Sequence, residues 1–283
     1  SLKLLPVHYF LVTFTLPAEL RPLARWYPKI VFDLMFFAAS KTLMELALDP
    51  KYMGGLIGFT GVLHTHSRRL DFHPHIHFIV PGVGYLPQKN MCIQTRERFL
   101  IPEPVLGRMF RGKLLYELKA LGMYFPTVLY RKDWVVDCEY SGKGESTLKY
   151  LARYLYRGVI AERNILSHED GEVTFQYING KTKQLEKRAL PGVDFIKLIL
   201  QHVLPKGFRR VRDFGFLHGN AKKTLIRLQL ILIPKFKKVP PIKRPAFCCP
   251  LCKKPVRIIA VGVFRMCQDI RSRSPPAVQY SVT

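Results

Sequence analysis

The stretch VLHTHSRRLDFHPHIHFIV, residues 62–80, constrains the fold more than any other part of the chain. Histidines alternate with apolar residues at a period of two, the repeat a strand sorts onto opposite faces. His75 and His77 then point one way and Ile76 the other. A turn near Leu70 folds this strand, about Pro74–Val80, back on the preceding one, about Leu56–His66, and sets His64 opposite residues 75 and 76. Three imidazoles thereby converge from two neighbouring strands, as a metal site requires, and strands hold such a set more firmly than loops. Five of the nine histidines fall between positions 64 and 77. His66 and His73 are less constrained: each reads equally as a donor behind the ligands, a phosphate contact or a plain surface residue.

The surrounding pattern mixes strands and helices irregularly. HYFLVTFT, His8–Thr15, is aromatic and β-branched and ends before Pro17, which predicts a strand. A long amphipathic helix is expected over about Ile30–Leu48, stopped by Asp49-Pro50. After a polar loop running to about Leu100, a helix is expected from Pro104 to Leu121 and a strand over Trp134–Glu139. Gly142–Gly144 reads as a break. Val173–Lys187 reads as a hairpin turning at Asn179-Gly180, and Val193–Leu204 as a further helix. The expected class is α+β, an antiparallel sheet with helices packed on it.

KYLARYLYR, residues 149–157, carries the second constellation. Leu148, Leu151, Tyr154 and Leu155 recur at helical spacing, and Tyr150 and Tyr154 lie one turn apart on one face, with Tyr156 elsewhere. A phenol titrates near ~10 and is a weak nucleophile at neutral pH unless cations favour the phenolate. Lys149, Arg153 and Arg157 supply that charge. A metal ion on the non-bridging oxygens of a phosphodiester would make its phosphorus more electrophilic. The two constellations together suggest in-line attack by a tyrosine, departure of a 3′-hydroxyl and a 5′-phosphotyrosine link. Imidazole donors favour zinc, copper, iron or nickel, whereas phosphodiester chemistry commonly uses magnesium or manganese. Magnesium or manganese is expected here, with manganese at least as effective.

Charge fits a polyanionic partner. Forty-five Lys and Arg against twenty Asp and Glu leave +25, an excess that opposes compaction but strengthens binding to phosphates through counterion release. Between Lys206 and Arg273 eighteen Lys or Arg stand against two acids, Asp213 and Asp269. GFRRVRDFGF, Gly207–Phe216, interleaves bases and aromatics as a nucleic-acid surface would. Lys206, Arg209, Arg210 and Arg212 are its candidate DNA contacts. The sequence thus divides into a catalytic domain at 1–205, a basic segment and linker at 206–245 and a cysteine-bearing tail at 246–283. Cys249 and Cys252 have half a zinc-knuckle spacing, with Cys248 and Cys267 as candidate extra ligands; free or buried thiols are the alternative. Six clustered cysteines suit a reduced setting rather than a disulfide framework. No run of 18 apolar residues exists to cross a membrane, and no secretory leader is visible.

HPHIHFIVPG with VLHTHSR upstream resembles the His–hydrophobic–His signature of the HUH endonuclease superfamily, and the interval from His64 to His75 is similar to that in conjugative relaxases. YFLVTFTLPAELRPLAR, YLARYLYRGVIAERNI, HVLPKGFRRVRDFGFLH and CCPLCKKP all resemble, in order, the two-tyrosine rolling-circle transposases of the insertion-sequence ninety-one type. The resemblance covers nearly the whole chain. It implies an HUH nuclease core with a basic C-terminal extension, Tyr150 and Tyr154 as nucleophiles, and His75 and His77 as ligands. It further implies single-stranded DNA, as transposon ends and target, for substrate and the bacterial cytoplasm, at the nucleoid, for location. Sharing this chemistry are replication initiators and relaxases; a non-catalytic DNA-binding remnant of a transposon is the reading from another class. No phosphate-binding helicase loop occurs, so strand separation is expected from a host helicase or the replication machinery. Family members usually carry an amino-terminal zinc-binding domain without counterpart in this sequence, which is expected to matter more for end recognition than for nicking. The position of His66 is more often aromatic in the family, and its glycine run is here Pro81-Gly82-Val83-Gly84.

Overall fold

The computed structural model of the chain describes residues 3–95, 100–143, 159–180, 182–232, 247–248 and 255–256. At its centre is a five-stranded sheet built from β1 (His8–Thr15), β2 (Gly58–His66), β3 (Phe72–Pro81), β6 (Val136–Lys143) and β10 (Val211–Gly215). The order is β10-β2-β3-β1-β6, and every neighbouring pair is antiparallel.

Alternation along these strands makes two unlike faces. Phe10, Val12 and Phe14 of β1, Phe59 and Leu63 of β2, and Ile76, Phe78 and Val80 of β3 bury one face beneath two helices. These are α2 (Pro28–Leu48) and α3 (Glu103–Ala120). Their buried positions recur at helical spacing, as Val31, Phe32, Met35, Phe36, Ala39 and Leu43 in α2 and Leu106, Phe110, Leu114 and Leu118 in α3. Phe78 sits at the centre of this layer, its ring within 5.1 Å of Phe59, 5.8 Å of Phe14 and Phe214, and 6.3 Å of Phe36, between centroids. Gly61 makes room for it, since a Cβ there would lie 2.5 Å from a ring carbon of Phe78.

The second face is divided along its length. Tyr9, Leu11 and Ile79 are sealed by Val83 and Tyr85 and by Leu225, Leu228 and Leu232 of α5 (Lys222–Leu232). At the other end the same face carries Thr13 and Thr15 of β1, which pair with His77 and His75 of β3. The apolar half packs; the other half carries the imidazoles. A third cluster stands beside it, with Leu70 held among Phe175, Tyr177 and Phe195. It belongs to a small sheet of β7 (Ile165–Glu169), β8 (Glu172–Ile178) and β9 (Leu185–Pro191), together with α4 (Gly192–Leu200).

Several features depart from the sequence reading. The expected division after residue 205 does not separate a catalytic sheet from a basic segment: β10 pairs with β2, Val211 facing Val62 and Gly215 facing Gly58. The charges of GFRRVRDFGF masked a strand, because its alternation is interrupted by arginines that fold back on the protein. The compact units run 1–235 and 236–283. In the second, Phe247–Cys248 pairs antiparallel with Pro255–Val256, while Cys249, Cys252 and Cys267 lie outside the described residues. The loop expected before Leu100 contains a hairpin, β4 (Val83–Leu86) and β5 (Met91–Gln94), turned by left-handed Asn90 at φ 46°. A short helix, α1 (Arg21–Trp26), fills the proline-rich stretch before α2, with Pro22 in its first turn where no amide donor is needed. Asn179-Gly180 opens a longer connection closed by Asn179 N–H to the Gln184 carbonyl at 2.9 Å. β8 and β9 thus form the hairpin expected over Val173–Lys187, with a longer connection; the two-residue turn of this region joins β7 to β8 at Asp170-Gly171, both at positive φ (49° and 75°), as a tight hairpin needs. Among the described residues no helix is long and apolar enough to cross a membrane.

Candidate metal centre and nucleic-acid interface

His64 and His75 are direct register partners across β2 and β3, and His77 lies opposite Val62 two residues on. Direct partners in an antiparallel pair share a face, so all three rings rise from the same face of the sheet. Their centroids stand 5.3 Å (64 to 75), 4.9 Å (64 to 77) and 4.7 Å (75 to 77) apart. One ring nitrogen from each lies within 4.8 Å of the others. The convergence inferred from alternation is the geometry observed. A register shift between His64 and His66 ends the regular pairing.

The donors are oriented and neutral. His75 Nδ1 lies 2.7 Å from the backbone carbonyl of His73, an acceptor only, so Nδ1 carries the proton and Nε2 keeps its lone pair. His77 Nδ1 lies 2.8 Å from Thr13 Oγ1; when it donates there, its Nε2 is likewise free to ligate. Such partners fix ring orientation in metal sites. Burial disfavours the charged imidazole and holds His75 down to about 3 and His77 and His66 to about 4. His64 is pushed lower still, by burial first and then by its histidine neighbours and Arg210. Three neutral imidazoles with convergent lone pairs fit a divalent cation.

Around the triad stand groups that were open or unseen in the sequence. His66 lies 6.0 Å from His64 and 5.3 Å from His202, ring to ring. His202 is buried just beyond α4, and its Nε2 lies 3.0 Å from the Leu70 carbonyl. It ties α4 to the turn between the histidine strands. No spacing rule marks His202, because its partner is a backbone atom 132 residues away. Thr13 was legible only as a strand residue; its role depends on register with His77. Arg21, in α1, donates from Nη2 to His73 Nδ1 at 2.8 Å.

The candidate DNA contacts separate by environment. Lys206 and Arg209 are exposed. Arg210 is half-buried beside the triad, its Nε donating to the Leu63 carbonyl at 3.1 Å. Arg212 is engaged within the protein: it pairs with Asp33, and its guanidinium lies 4.3 Å from the Phe36 ring centroid and 4.9 Å from that of Phe208. Lys149, Tyr150, Arg153, Tyr154, Tyr156 and Arg157 lie outside the described residues. The residues that follow them, Val159 and Ile160, pack against the cluster of Leu70, which lies between the two histidine strands.

Residues 58–224 match a family described as "Putative transposase". The chain is 36% identical over 240 residues to "Putative transposase y4qJ" of Sinorhizobium fredii, covering 77% of this chain and 60% of that protein. It is 29% identical over 230 residues to the transposase for insertion sequence element IS801 of Pseudomonas savastanoi pv. phaseolicola, covering 73% and 53%. The chain therefore spans about half to three fifths of the length of these curated relatives. Among solved structures, conjugative relaxase TrwC in complex with mutant OriT DNA aligns over 77% of this chain and 71% of its own, at 16% identity and a TM-score of 0.33.

Proposed function

The chain belongs to the family described as "Putative transposase", and from that premise we propose that it nicks and rejoins single-stranded DNA through a 5′-phosphotyrosine intermediate during rolling-circle transposition. The observation that carries the reading is the triad His64, His75 and His77, neutral and convergent on one face of a sheet. In this reading the sheet is an HUH nuclease core and the substrates are transposon ends and target DNA.

The proposed step is a transesterification. The phenol oxygen of Tyr150 or Tyr154 forms a bond to phosphorus as the bond from phosphorus to the 3′ oxygen breaks. The departing oxygen takes a proton and leaves as a 3′-hydroxyl, and the 5′ end stays on the protein. Attack by another 3′-hydroxyl reverses the step and rejoins a strand. A magnesium or manganese ion held by His64, His75 and His77 would supply Lewis acidity toward the non-bridging phosphate oxygens. Lys149, Arg153 and Arg157 favour the phenolate, Arg210 places positive charge beside the triad, and exposed Lys206 and Arg209 hold flanking phosphates. The anchoring of Val159 and Ile160 against the Leu70 cluster supports a tyrosine segment tethered close to the histidine strands.

A labelled single-stranded oligonucleotide tests this. Chelator-treated protein should cut only when manganese or magnesium is restored, and His75→Ala and His77→Ala should abolish cutting. Full-rate cleavage in excess chelator would remove the metal from the account.

A further inference from the structure

Of the five histidines between positions 64 and 77, three converge, and the structure distinguishes His73 from these. It precedes His75 and His77 on the same face of β3, half-buried as they are, with its ring 5.3 Å from that of His75. Its Nδ1, however, is occupied by Arg21 Nη2 at 2.8 Å. A guanidinium only donates, so Nδ1 must accept and the proton of the neutral ring sits on Nε2. A protonated nitrogen offers a metal no lone pair. The same ring is a fixed N–H donor, set beside a ligand and backed by a permanent cation.

Arg21 itself is arranged for an anion. Its Nε is buried with no hydrogen-bond partner among the described residues. The nearby carboxylate of Glu19 is bridged through Oε1 to Lys132 at 2.7 Å and also feels the charge of Arg21, but forms no ion pair with it. One turn on, Arg25 is exposed and lies over Phe72, guanidinium carbon to ring centroid 5.0 Å, with Nη2 donating to Gln201 at 3.1 Å. Helix α1 thus presents two arginines to the end of β3 that carries the histidines.

We propose that Arg21 and His73 form a phosphate grip: a subsite for the DNA phosphate neighbouring the one at the triad, held by His73 Nε2–H and the guanidinium charge of Arg21. The inference rests on the DNA-nicking reading and deepens it, giving His73 a role distinct from ligation. Docking one phosphate here fixes the next at the triad, since adjacent phosphates are joined by a single sugar.

The test uses the full chain and a fluorescent single-stranded oligonucleotide, with binding followed by anisotropy in chelator across a salt series. Manganese affinity is measured separately by electron paramagnetic resonance. Arg21→Gln keeps an N–H donor to His73 but loses the charge. His73→Ala removes the donor, whereas His73→Gln replaces an N–H near the position of Nε2. Arg21→Gln and His73→Ala should each weaken DNA binding about tenfold, the scale of a charge-assisted hydrogen bond. Arg21→Gln should also flatten the plot of log affinity against log salt by about 0.7, one single-strand phosphate contact. His73→Gln should recover most of the affinity, and all three variants should bind manganese as the parent does. Unchanged DNA affinity in Arg21→Gln and His73→Ala overturns the grip, and so does a loss of manganese binding in His73→Ala as deep as that in His75→Ala. If the parent nicks DNA while these variants bind it unimpaired, only the grip fails; if the parent neither binds nor nicks, both readings fail.

Discussion

Acidification should destabilise this protein well above the range in which carboxylates titrate, and the histidine cluster sets the size of the effect. Folded His66 and His77 are held to about 4, His75 to about 3, and His64 below these, whereas unfolded histidine titrates near ~6.5. Below that value the unfolded chain takes up protons that the folded chain refuses. Stability rises with pH wherever the unfolded state binds more protons, so here it falls as pH drops through about 6.5 and goes on falling until the folded rings also protonate, near about 4. From pH 7 to 5.5 each such ring costs roughly 1.2 kcal/mol, and four together about 5 kcal/mol. A typical domain holds only ~5–15 kcal/mol in all. Urea unfolding of metal-free protein at both pH values reads this directly, and His77→Gln should remove about one ring's share. A free energy of unfolding that is flat between pH 7 and 5.5 would refute the buried, neutral cluster.

Two further perturbations address the scaffold. Thr13→Val keeps the shape of the side chain but removes the oxygen facing His77 Nδ1 at 2.8 Å; manganese affinity should fall about 10- to 100-fold, the usual cost of losing a group behind a ligand, with little change in thermal midpoint. Phe78→Ala empties the centre of the aromatic layer between the sheet and α2 and should cost about 3–5 kcal/mol in urea unfolding; a loss below 1 kcal/mol would mean that the layer collapses freely around the gap.

Local alternation made the triad legible, because period two and a single turn at Leu70 leave few ways to pair His64 with His75. The same logic recovered β1, α2 and α3 within a few residues. It failed where a long-range partner decides the outcome. β10 was hidden because Arg212, read as a DNA contact, closes on Asp33 and Phe36, residues far earlier in the chain, and on nearby Phe208. Thr13, Arg21 and His202 carry no periodic signal; each matters through one atom supplied by a distant segment. The hairpin expected over Val173–Lys187 is present as β8 and β9, Ile178 facing Leu185, but composition alone did not show that its connection is longer than two residues, nor that Asp170-Gly171, with its positive φ values, closes a second hairpin just before it.

The central claim is that a phenol of residues 149–157 attacks a phosphate held at the histidine strands. It is tested most directly by incubating the protein with a single-stranded oligonucleotide and manganese, isolating the SDS-stable product and sequencing its peptides by mass spectrometry. The account predicts a nucleotide-bearing peptide modified at Tyr150 or Tyr154, lost when both are phenylalanine and retained in Tyr156→Phe. Cleavage without any covalent product would contradict it, and would assign the chemistry to a metal-activated water instead.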